Sequence, residues 1–154
     1  FGQGISVTPL QMVRYYGALI NDGVESTPHF LIEKLGTDEE VDYPTEDVYK
    51  NKEAISTLTS MLETVVTNGT GTGATIDGYA VSGKTGTAEI ANPEGGYRAG
   101  IYNISFIGYL PHSSSQLVCF VGATEVPGDR TVTNVFKDIM SYAIDRYKIV
   151  PSEG

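Results

Sequence analysis

The sequence predicts an α+β domain, a three-stranded antiparallel sheet with flanking helices. Helical hydrophobic spacing dominates up to about residue 67 and returns after residue 133, whereas apolar residues between 79 and 124 run in extended segments. Those three segments follow one another with no helix between them, which argues against a βαβ alternation.

The first helix starts at Thr8, a good N-cap, followed by Pro9 at a position proline suits. Leu10, Val13, Gly17 and Ile20, flanked by Met12, Tyr16 and Leu19, form its stripe, and Asn21-Asp22-Gly23 stops it. Phe30-Leu31-Ile32 reads as a short strand. The acidic stretch after it, Asp38 to Asp47, holds six carboxylates in ten positions without the spacing or glycine of a calcium loop, so it reads as a solvated loop. A second helix runs from about Lys52 to Thr67 with Ile55, Leu58, Leu62 and Val65 on one face, ending at Asn68-Gly69. Gly69 to Gly73 reads as a flexible connector. The candidate strands are Tyr79 to Thr87, Ile101 to Leu110 and Gln116 to Thr124. The third, nearly all apolar, is expected to be the most buried. Pro111 to Ser115 is a short turn, so the second and third strands should form a hairpin, whereas Ala88 to Gly100 reads as a longer loop beside the first. A last helix, Thr133 to Tyr147, is expected to turn Val135, Phe136, Ile139, Met140, Ala143 and Tyr147 toward a core.

The 154 residues are 40% hydrophobic and 19% charged, a globular composition. A formal charge of −9 disfavours nucleic acid and anionic lipid as partners. No apolar run approaches the length of a membrane span, and nothing looks like a signal peptide, so the chain reads as soluble. Cys119, within Leu117 to Val121, reads as a buried thiol with no disulfide partner. His29 and His112 are isolated, so no metal set is expected, and no cofactor. Phe1-Gly2-Gln3-Gly4 runs straight towards a helix start without a leader or initiating methionine, and the chain is expected to be a fragment.

The chemistry concentrates at Gly83-Lys84-Thr85-Gly86-Thr87. Counted from Gly78, it satisfies the phosphate-loop pattern G-x-x-x-x-G-K-[ST]. A phosphate loop must follow a buried strand and open into a helix whose amides hold the phosphates. Here Tyr79 and Val81 fall inside the supposed loop, and Gly86, Asn92, Pro93, Gly95 and Gly96 break any long helix after it. The alternative is a strand lining a cleft. Lys84 then supplies positive field, the Thr85 and Thr87 hydroxyls donate to a carboxylate, Gly86 admits a substrate backbone, and the Thr87 amide faces a developing oxyanion.

Further motifs surround this one. Phe1-Gly2-Gln3-Gly4-Ile5-Ser6-Val7-Thr8-Pro9-Leu10-Gln11-Met12, Asn21-Asp22-Gly23, Gly71-Thr72-Gly73, Gly83 to Glu89 and Ser105-Phe106-Ile107-Gly108-Tyr109 follow in the order found in class B penicillin-binding proteins. The chain closely resembles that family, nearest its cell-division type. Of the family's S-x-x-K, S-D-N and K-T-G set, only the third occurs, since no serine has lysine three positions on or asparagine two positions on.

The resemblance implies the penicillin-binding/β-lactamase-like fold, with residues 1–150 the C-terminal portion of a transpeptidase domain and 151–154 a tail. It implies a parent protein that cross-links peptidoglycan stem peptides by serine acyl transfer and binds β-lactams. Lys84, Thr85, Gly86 and Thr87 would be substrate-binding, with Lys84 and Thr87 also serving catalysis. The parent would sit at the extracytoplasmic face of the cell membrane and work with division-machinery proteins. Alone, the chain is expected to be inactive and to self-associate through the uncovered sheet edge near Leu117 to Val121, which further strands cover in the family. A non-catalytic ligand-binding module of the same fold is the alternative.

Overall fold

A computed structural model describes residues 4–36 and 41–151. The opening Phe1-Gly2-Gln3, the acids Asp38 to Glu40, and all but Pro151 of the expected tail 151–154 lie outside the described residues. Helix α1 spans Pro9–Ile20 and begins in a capping box: Gln11 N donates to Thr8 Oγ1 over 3.2 Å, and Thr8 N donates to Gln11 Oε1 over 2.8 Å. Gly23 ends the turn after it with φ +88°, and a Cβ there would lie 2.3 Å from Tyr49 O, so a side chain is excluded by both conformation and space.

The expected strand Phe30-Leu31-Ile32 is not one. Phe30 is 99% exposed and the segment makes no ladder. Instead β1, Val24–Ser26, pairs antiparallel with β2, Thr45–Asp47, inside the stretch read as an acidic loop. Two ion pairs hold this small sheet against the helices. Arg14 of α1 reaches the buried Glu25, and Lys52 bonds the Asp22 carbonyl and lies 3.9 Å from Asp47 Oδ1. Apolar periodicity does not register either contact.

Helix α2, Lys52–Asn68, is capped by Asn51, whose Oδ1 accepts from Ala54 N. It buries Ile55, Leu62 and Val66, whereas Leu58 stays 40% exposed. The glycine-rich stretch after it is packed, in contrast to the expected flexible connector. The Gly69 and Gly71 amides both donate to Val65 O, and a 3-10 turn over Thr72–Ala74 buries Ala74.

The main sheet has the order β3 (Ser82–Ala91), β4 (Tyr97–Tyr109), β5 (Val118–Pro127), all antiparallel. The expected fold class holds, with two corrections. The loop expected from Ala88 to Gly100 is mostly an exposed ribbon, in which β3 and β4 continue to the pair Ala91 and Tyr97 around a tight turn closed by Asn92 N to Gly96 O. The most buried strand is β4, not β5, because it lies between two neighbours and has helices on both faces. β5 is partnered on one side among the described residues, and its apolar positions, Cys119 included, are half-buried.

Alternation along β4 sorts the layers. Tyr109 faces α1 and α2, meeting Tyr16 edge-on with ring centroids 6.4 Å apart and Thr59 Oγ1 at 2.9 Å. Phe106 faces α3, Thr133–Tyr147, and meets Phe136 at 4.8 Å between centroids. On α3, Phe136, Met140 and Ala143 enter the core, while Val135, Ile139 and Tyr147 face outward, against expectation. Six apolar positions span more than the one stripe that a helix can bury on a flat sheet.

Burial pushes the Tyr16 phenol up to about 12, with the Tyr109 and Tyr49 phenols adding to it. The unfolded phenol ionises near 10, so the stabilisation from keeping Tyr16 neutral is intact below that pH and is lost as pH climbs through 12. Urea unfolding followed from pH 9 upward is expected to show this alkaline decline, and Tyr16→Phe to flatten it; an unchanged slope would exclude Tyr16 as the source.

Candidate functional site

Strand β3 enters the site through Ser82, whose fully buried hydroxyl donates to Thr59 O over 3.0 Å and pins the strand to α2. From there its register against β4 pairs Lys84 with Ile107, Thr85 with Phe106, Gly86 with Ser105 and Thr87 with Ile104. Thr85 and Thr87 therefore share one face and Lys84 and Gly86 the other. Because β3 is the outer strand of its sheet, every second backbone amide along this stretch points away from the ladder.

Lys84 and Thr87 are exposed, and Thr85 and Gly86 are partly covered. The Lys84 ammonium donates to Thr85 O over 2.8 Å, so its charge rests against the strand itself. Thr85 Oγ1 lies 2.7 Å from the hydroxyl of Thr70, which sequence reasoning did not place at the site. A Cβ at Gly86 would come within 2.5 Å of Ser105 Oγ, so a side chain there would require that hydroxyl to rotate away. Ser105 was a second omission, since only the register reveals it.

The structure gathers Lys84, Thr85, Gly86 and Thr87 into one edge carrying a cation, two hydroxyls and outward-pointing amides, a set matched to an anionic, peptide-like ligand. It excludes the phosphate-loop reading. The Gly-Lys-Thr segment continues as strand for six residues beyond Thr85, to Ala91, and no helix follows it to present amides to a phosphate.

The remaining candidates fall elsewhere. His29 stacks on Tyr43 with centroids 3.5 Å apart, and His112 Nε2 lies 3.0 Å from Glu63 Oε1. Burial raises the Cys119 pKa, which keeps the thiol protonated. Among the described residues no group of His, Cys, Asp and Glu is placed to hold a metal, and no helix is long and apolar enough to cross a membrane.

Residues 1–141 match the penicillin binding protein transpeptidase domain, and the chain belongs to that family. Stage V sporulation protein D of Bacillus subtilis is 37% identical over 133 residues, covering 83% of this chain and 20% of that protein. Penicillin-binding protein PbpB of Mycolicibacterium smegmatis is 32% identical over an alignment of 166 positions, covering 96% of this chain and 26% of the relative. Penicillin binding protein 3 of Mycobacterium tuberculosis, solved in complex with ampicillin, superposes with a TM-score of 0.84 at 28% identity over 99% of this chain and 38% of its own. The chain thus spans between a fifth and two fifths of these proteins.

Gly86→Ala is expected to cost at most about 1 kcal/mol, the scale of turning Ser105 Oγ into another rotamer. In a denaturant double-mutant cycle, Ser105→Ala should recover most of that loss, whereas additive effects would show that the two residues do not meet.

Proposed function

We propose that residues 82–88 form the substrate-binding strand of a serine-type peptidoglycan D,D-transpeptidase, one wall of an active site whose nucleophile lies outside this sequence. The observation that carries the reading is the exposed edge of β3, where the Thr85 and Thr87 side chains share a face and Lys84 is adjacent. In the reaction a serine attacks the carbonyl of the penultimate D-Ala of a stem peptide. The terminal D-Ala leaves, and an amine from a neighbouring stem resolves the acyl-enzyme. Thr85 and Thr87 hold the terminal carboxylate, or that of a β-lactam. Lys84 supplies favourable field, Gly86 lets the substrate backbone approach, and the Thr87 amide donates to the oxyanion. The family, and the ampicillin complex of the similar mycobacterial protein, support this assignment. In this reading the working protein sits at the extracytoplasmic face of the bacterial membrane and acts in cell division with that machinery's proteins.

The sequence holds neither S-x-x-K nor S-x-N. The 154-residue chain should therefore take up no fluorescent penicillin that survives denaturation, while a polypeptide joining these residues to an S-x-x-K serine should be labelled. In that longer protein Thr85→Val should slow acylation by about a hundredfold, the scale of losing a ligand-orienting donor. Stable labelling of the short chain, or no effect of Thr85→Val, would overturn the assignment.

The outer edge of β5, which has no strand partner among the described residues, is the proposed surface for self-association of the isolated chain. Light scattering across a concentration series should show mass rising above that of the monomer, and Val121→Lys should suppress the rise. A monomer at every concentration would refute it.

A further inference from the structure

We propose that Thr70 is a positioning residue for this site: its hydroxyl donates to Thr85 and thereby turns the only hydroxyl proton of Thr85 outward, toward the ligand carboxylate. This rests on the reading of β3 as a carboxylate-binding strand.

The two oxygens are 2.7 Å apart. A threonine hydroxyl has one proton and two lone pairs, so the pair has two polarities. When Thr85 donates to Thr70, it offers an incoming anion only lone pairs. When Thr70 donates to Thr85, the Thr85 proton is free, and a run of donors forms from Thr70 through Thr85 to the carboxylate, each strengthening the next. An anion drawn by Lys84 selects the second polarity.

The backbone holds Thr70 in place. It lies between Gly69 and Gly71, whose amides both bond Val65 O, over 3.1 Å and 2.9 Å. Gly71 is itself packed, since a Cβ there would lie 3.2 Å from the Phe106 ring. Phe106 is also the cross-strand partner of Thr85, so both ends of the hydroxyl pair neighbour the same residue. Without the Thr70 hydroxyl, Thr85 is free to change rotamer or donate elsewhere.

The test titrates the chain with N-acetyl-D-alanyl-D-alanine and with its C-terminal amide, following the backbone amide signals of Thr85, Gly86 and Thr87. The wild-type chain should favour the acid over the amide, and Thr85→Val should abolish that preference. Thr70→Val should reduce it about three- to tenfold, the scale of one hydrogen bond, with amide affinity little changed, and Thr70→Ser should restore it. Three-bond couplings should report one Thr85 χ1 rotamer in wild type and Thr70→Ser, and averaging in Thr70→Val. Thr70→Ala supplies the same comparison if the valine variant does not fold. If Thr85→Val abolishes the preference while Thr70→Val keeps it, the role of Thr70 is overturned and the site reading stands. If the wild type shows no preference, or Thr85→Val retains it, the site reading fails and the role of Thr70 with it.

Discussion

The Phe106 ring fills a space that three glycines leave open. Cβ atoms built at Gly83, Gly108 and Gly71 would lie 2.3, 3.0 and 3.2 Å from its ring atoms, and Phe136 closes over it edge-on from α3. Burying a phenylalanine in this way contributes about 1.5–3 kcal/mol relative to leaving it exposed. The positional effect matters more here. Gly83 precedes Lys84, and Gly71 follows Thr70, so one buried ring sets the height of β3 and the seat of the connection that meets it.

On the opposite face of the sheet, polar contacts complete the fixation. The Ser82 hydroxyl bonds the Thr59 carbonyl, and the Thr59 hydroxyl meets Tyr109, in a region where Tyr16 and Tyr109 are both held neutral by burial. A buried hydroxyl left without a partner would cost about 1–3 kcal/mol, so these contacts specify a register as well as adding stability. The accessible edge of β3 thus rests on a rigid support made from both layers.

What the sequence made legible was local. Thr8, Pro9 and Asn21-Asp22-Gly23 lie within one turn of the helix ends they define, and α1 and α2 fall where those signals, the Asn68-Gly69 stop and the apolar stripes place them. The Lys84 to Thr87 edge was legible because consecutive residues on a strand need no partner to declare their faces. Contacts decided at a distance were not legible. The hydrophobicity of Leu117 to Val121 suggested the deepest strand, but depth follows from sheet order, and β5 lies outside β4. Thr70 lies 15 positions from Thr85 in a stretch whose glycines resemble a linker, and Ser105 reaches Gly86 only through the ladder. The small β1–β2 sheet is met by charge contacts of Arg14 and Lys52, which hydrophobic spacing does not record.

The β3–β4 ribbon projects past the helices with nearly every residue from Ala88 to Gly100 in solvent. Its root, Ser82 to Thr87, is held by Phe106, Thr59 and Thr70, and β5 supports β4 out to Ile101, with Arg98 ion-paired to Glu125 beyond that. The register break between Glu89 and Ala91 bends and twists the ribbon just beyond it. The tip, Asn92 to Gly96, thus lies across that break from the stretch carrying the Thr85 and Thr87 hydroxyls, so the ladder's register at those hydroxyls is set without it.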